Sequence, residues 1–339
     1  MNKLLNKKPH LFFNYILLTT VTTIILLSVL QKSYASESIF TTYIGIDSVN
    51  HTAFMYDEHF EQYPENPDNP KTSVIALPAN FPFWSLAQNY DVVRRNDDGS
   101  IDVLSKDPAY FEMVHHMVMF YSAPNRPRAD IYDYPGPFST GSELTSFFFP
   151  KGYAYKLDGG YLVPEWHWQN PANVAVTEKL YLRMNITVDN EPNAYRDTEV
   201  ESIDVIPVTS DFSIPPGKSK KISPKYPVNA DSRIIAVIPH IHDHGGKIKL
   251  KSREKTIHEF KPEYQNIPVT HDDMGQGATP LHSHKAHLPV NGLYAWTPGQ
   301  YGPIIKTGDF LTVESKFNNP HPRTIDNMVI ATIFYEIVK

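Results

Sequence analysis

The feature that most constrains this chain is its rhythm: short β-prone runs alternate with turn formers, and no long segment keeps a helical stripe. Met113–Tyr121, Leu180–Val188, Ser202–Val208, Arg233–His242, Gly246–Lys251, Asp309–Phe317 and Met328–Ile337 are rich in Val, Ile, Phe, Tyr and Thr. Several alternate with a period of two. Such a run sends successive side chains to opposite faces, so it buries one face by joining a sheet. Between the runs lie breakers, at Ser122–Pro127, Pro150–Gly152, Asp158–Gly160, Pro215–Gly217 and Asn318–Pro322. Evenly spaced short strands with turn signals predict an all-β fold of β-sandwich, jelly-roll-like domains. The polar stretch Asp189–Asp197 has no periodicity and divides the chain into sandwich domains over 36–192 and 193–339.

Residues 1–35 read as a secretory signal peptide. Lys3, Lys7 and Lys8 form a positive start, Ile16–Leu30 is uncharged and mostly apolar, and Ser33 and Ala35 place small residues at a cleavage site. The competing reading is a retained anchor, since the apolar stretch from Leu11 to Leu30 is just long enough to span a bilayer. Either way the rest of the chain is expected to be exported, to the bacterial periplasm or beyond, with no stable membrane insertion once the signal is cleaved.

Composition excludes several chemistries. There is no Cys, so disulfides, iron–sulfur clusters, Cys-ligated zinc, thiolate-bound copper and a Cys nucleophile are all ruled out. An exported chain without Cys points to a bacterial envelope. Removing the four lysines of the leader takes the net charge from −6 to −10. An acidic chain without a basic tract is a poor nucleic-acid binder, because neutralising phosphates supplies most of that affinity.

The histidines cluster on the strand-like runs. His240 and His242 stand two apart before Gly245-Gly246. In a strand they project from one face, so both rings reach one ion. That spacing names a metal site without naming the metal, and a strand end carrying His by chance is the competing reading. His115 and His116 are adjacent and point to opposite faces, so both reach one ion only if the strand bends or ends there; a satisfied core or interface pair is the bland alternative. His167 lies between Trp166 and Trp168, where a packed aromatic cluster is the bland alternative. Met328 alone reads as a core residue. His244 and the loop histidines His282, His284 and His287 are left unassigned.

Taken in order, His115-His116, Glu165–Pro171, His240–Lys247 and Asp326–Met328 resemble the copper type II, ascorbate-dependent monooxygenases. This is the family of dopamine beta-monooxygenase and peptidylglycine alpha-hydroxylating monooxygenase. Phe149–Gly152, Ile214–Gly217 and Thr307–Leu311 support the resemblance, which covers the chain from Met113 onward; residues 36–110 match nothing. It implies two β-sandwich domains facing each other across a copper cleft. His115, His116 and His167 would bind an electron-donating copper, and His240, His242 and Met328 the oxygen-activating one. It further implies an oxidoreductase that hydroxylates a C–H bond of a small substrate, using dioxygen and an ascorbate-like one-electron reductant. The chain departs from the peptidylglycine enzymes where they hold a peptide carboxylate. Their Arg is Ile238 here, and their Asn and Tyr are Ile330 and Thr332. The resemblance therefore implies a more apolar site wall and no peptide amidation. The alternatives are a non-enzymatic copper-binding or copper-buffering envelope protein, and a β-sandwich binding module with incidental histidines.

Overall fold

A computed structural model describes residues 37–47, 52–66, 69–77, 83–104, 114–122, 138–141, 146–157, 159–170, 179–189, 201–205, 212–242, 244–264, 272–273, 290–322 and 324–338. The leader, the polar stretch from 190 to 200 and the loop bearing His282, His284 and His287 lie outside them. The described residues are all β apart from a single 3-10 turn at Gly299–Tyr301, and their sheets remain open. Each of the seven strand-like runs read from the sequence carries a strand over much of its length.

The strand Leu180–Asp189 shows why these residues form a sheet. Leu180, Leu182, Met184, Ile186 and Val188 alternate into the core, while Tyr181, Arg183, Asn185 and Thr187 take the other face. Each fully buried aliphatic side chain stabilises the fold by about 2 kcal/mol. Register is reinforced on the polar face by direct cross-strand pairs. Arg183 is opposite Asp91 and bonds it at 2.7 Å, and the Thr41 hydroxyl donates to Asn185, opposite it, at 2.9 Å.

Two sheets share this core. One contains Glu37–Asp47, Thr52–Tyr56, Phe83–Arg95 and Leu180–Asp189; the other pairs Val114–Ser122 with Gly160–Asn170. Met117, Met119 and Leu162 of the second sheet meet Ile44, Met55, Val92 and Leu182 of the first. The region before residue 110, which resembled nothing by sequence, thus supplies the central strand of the larger sheet. A second core lies between a sheet holding Glu201–Val205, Ser232–Ile241 and Val329–Ile337 and one holding Ile248–Ser252, Lys255–Phe260 and Phe310–Asn318. A third cluster joins the two halves of the chain. Phe147 and Tyr153 pack with Ile235, Ala236, Ile238 and Phe334 on the face of the 232–241 sheet opposite its own core.

The turn at Asp231 links two segments of the second half. Its carboxylate accepts from Lys306 Nζ at 2.7 Å and from the Thr307 N–H and hydroxyl at 2.9 and 3.0 Å. These bonds, Lys306 first, lower its pKa to about 2. A depressed carboxylate contributes stability above its unfolded pKa of about 3.9 and loses it as the pH falls through the folded value. The thermal midpoint should therefore fall between about pH 4 and pH 2. Asp231→Asn should flatten that part of the profile; an unchanged acid slope in the variant would refute the contribution.

Candidate metal site

The strand Ser232–Ile241 divides its side chains by face. Val237 and Ile241 enter the second core, whereas Ala236 and Ile238 enter the third cluster. Alternation carries the latter face on to His240 and, just past the strand, His242. His242 is almost fully buried and His240 half-buried. Their rings lie 5.2 Å apart between centroids and stand nearly perpendicular, at 88°. Two imidazoles on one ion at about 2.0–2.1 Å per bond have centroids about 5 Å apart at an open ligand angle. His240 Nε2 and His242 Nδ1 are both shielded from solvent. The centroid separation is within the range that a shared ion requires.

Met328 sits at the break between the strands Ile325–Asn327 and Val329–Ile337, half-buried and outside both. Its carbonyl accepts the His242 N–H at 3.2 Å, so the backbone brings Met328 directly beside the pair. The adjacent Asn327 is wholly buried, and its carboxamide makes no hydrogen bond among the described residues. A buried amide in that state costs roughly 1–3 kcal/mol. Opposite the histidine strand, Ile330 pairs with His240 and Thr332 with Ile238. Ile238 is buried against Phe147 and Phe334 rather than lining open space.

Beyond His242 the chain turns sharply. Gly245 is required there by close approach: a Cβ would meet Ile241 Cδ1 at 2.3 Å and Phe317 at 2.8 Å. The Tyr264 hydroxyl donates to the Gly245 carbonyl at 2.7 Å, fixing the turn. His244 has φ 62° and leaves the strand face, so it does not extend the H-x-H row as a continuing strand would.

The other three expected ligands lie on the sheet of the first half, and their backbone register is informative. His167 pairs with His116, and Trp168 pairs with Val114, so His115 is the extra residue of a β-bulge. Directly paired residues have Cβ atoms about 4.5–5.5 Å apart. A bulge is the condition under which adjacent His115 and His116 escape strict alternation. The sheet thus brings all three positions together. Among the described residues, no three His, Cys, Asp or Glu side chains converge to hold an ion.

Sequence reasoning missed His321, which meets His244, and His258, which stacks on Trp296 at 4.4 Å and 7°. Burial lowers the His258 pKa, with Glu259 opposing, so this ring is a packed aromatic partner. Neither was legible locally, since both contacts join segments far apart in the chain.

No family model matches the chain, and no curated protein matches it. Similar solved structures include the major capsid protein P2 from bacteriophage PM2, at 12% identity and TM-score 0.31, covering 88% of this chain and 98% of that one. The STIV MCP matches at 9% identity and TM-score 0.36, covering 88% and 97%. A Sulfolobus Turreted Icosahedral Virus chain matches at 10% identity and TM-score 0.33, covering 89% and 91%. Scores this low carry neither fold nor function to this chain.

These findings correct the resemblance to the copper type II, ascorbate-dependent monooxygenases: no copper monooxygenase is among the similar structures described, and no family or curated match supports the kinship. The labels that rested on it, an ascorbate-dependent copper oxidoreductase and monooxygenase, fall with it. The physical reason lies in the motifs. Paired His, H-x-H and a lone Met are two or three residues long, and strand alternation makes H-x-H on one face easy to reach in any β protein. Among the described residues, no helix is long and apolar enough to cross a membrane.

Proposed function

We propose that this is an exported transition-metal-binding β-sandwich protein. His240, His242 and Met328 hold one ion, and His115, His116 and His167 hold another. The observation that carries the reading is the His240–His242 pair, with its perpendicular rings 5.2 Å apart and Met328 tied to His242 through the backbone. The His116–His167 register with its bulge at His115 supports the second position. On this reading each sandwich is a domain, divided near residues 192–193, and the leader directs export. Two imidazoles and a thioether suit copper better than zinc, which rarely takes Met, and the sulfur favours Cu(I).

The test is Cu(I) loading under anaerobic conditions against a chromogenic chelator, with Zn(II) in parallel. Wild type should retain two tight equivalents of Cu(I). His167→Ala should lose one and leave the other. Met328→Leu, nearly volume-conserving, should stay folded, keep Zn(II) binding and hold Cu(I) at least tenfold less tightly at one site. Wild type that holds no ion, or a His240→Ala variant with unchanged stoichiometry, would sink the reading. Oxygen uptake with ascorbate on the same loaded protein separates a site that turns over from one that only binds.

A further inference from the structure

His244 and His321 come from segments 77 residues apart, yet their Nε2 atoms lie 2.8 Å from each other. The ring centroids are 4.7 Å apart and the planes cross at 72°. We infer that His244 and His321 form a separate metal-ion site, with its own two imidazole ligands and a preference for ions that accept ligands at right angles.

The geometry supports this in three ways. Two nitrogens bound to one ion at about 2.0 Å and at 90° are about 2.8 Å apart; at a tetrahedral angle they are about 3.3 Å apart. The observed separation of 2.8 Å equals the right-angled value and is also an ordinary hydrogen-bond length; right angles are what square-planar or tetragonal Ni(II) and Cu(II) accept. The two rings also stand on turns that are already built. His321 lies between Pro320 and Pro322, which fix their own φ. Its N–H donates to Asn319 Oδ1 at 2.9 Å. The buried Asn319 in turn donates from its side chain to the Ile214 carbonyl at 2.7 Å and from its N–H to the Lys218 carbonyl at 2.9 Å. His244 is held in its left-handed conformation by the Asn318 N–H, which donates to its carbonyl at 3.1 Å, and by the Gly245–Phe317 bridge. Ordering costs are thus largely met before an ion arrives. Finally, both residues are half-buried, so solvent and ions are not shut out of this corner of the fold.

Without a metal, one Nε2–H donates to the other Nε2 at this distance. For both Nε2 atoms to bind an ion, the donating ring carries its proton on Nδ1 instead. The same pair held by that hydrogen bond alone is the competing account.

This site is independent of the one built on His240, His242 and Met328, and the variants separate them. The probe is Ni(II) alone, titrated by calorimetry into the full mature chain, with bound nickel counted after gel filtration. His244→Asn keeps a residue that tolerates positive φ, and His321→Gln keeps a polar side chain in the same turn. Each should remove one equivalent of Ni(II), or weaken it at least tenfold, with circular dichroism unchanged. His240→Ala should leave that equivalent in place. Ni(II) stoichiometry and affinity unchanged in both His244→Asn and His321→Gln would overturn the inference and leave the pair a hydrogen bond. Loss in only one of the two would also overturn it, because the site requires both rings. Loss in His240→Ala with no loss in His244→Asn would assign the ion to the other site.

Discussion

Phe334→Ala should destabilise the protein by about 4 kcal/mol, within the usual range for deleting a buried Phe side chain. Phe334 is fully buried. It stacks on Phe147 at 5.5 Å and 15°, meets Phe149 edge-on at 4.9 Å, and faces Tyr155 at 6.3 Å. Those partners come from the first half of the chain, and Phe334 itself from the last strand. Alanine would leave a cavity between the Phe147 and Tyr155 rings of one sheet, with Phe149 beside them, and the strand face of another, which cannot easily collapse inward. The urea midpoint should fall with the slope preserved. Phe148→Ala, next to two of the partners but with its own side chain exposed, is the matched control and should stay within about 0.5 kcal/mol. A Phe334→Ala loss no larger than that of the control would mean the aromatic cluster does not join the two halves.

Arg233→Ala should cost about 3 kcal/mol, the lower end for breaking a buried ion pair, since Arg233 keeps some exposure. Its guanidinium bonds the carboxylate of Glu336, which is 4% exposed and also accepts from the Tyr153 hydroxyl at 3.3 Å. The penalty comes from stranding a charge rather than from losing an attraction. The double variant Arg233→Met with Glu336→Leu should therefore recover most of the stability, because well-packed apolar replacements of buried pairs are often neutral. A double variant as unstable as the single one would locate the loss in packing instead. Thermal and urea unfolding of the three proteins decide between the accounts.

These effects sit where segments distant in the chain meet, and that is where local pattern reading stops. The alternation of Leu180, Leu182, Met184, Ile186 and Val188 already implies a strand with one buried face, because a period of two has one low-energy solution in a sheet. His240 and His242 were legible for the same reason: strand geometry alone puts i and i+2 on one face. Kinship was not legible, because a histidine pair and a lone methionine are too short to distinguish common descent from the ordinary geometry of strands.

What the sequence by itself determined is the all-β class, most of the strands and the common face of His240 and His242, all consequences of short-range backbone geometry. What only the tertiary structure decided is the company each residue keeps. It placed His167 against His116 with the bulge at His115, and it brought Met328 to the backbone of His242. It swung His244 out of the strand row at φ 62° to meet His321. Ile238, expected on the wall of a site, became part of an aromatic-rich core with Phe147 and Phe334. These are long-range pairings, set by register, bulges and sheet stacking, and a one-residue shift in any of them would turn the same side chains to the opposite face.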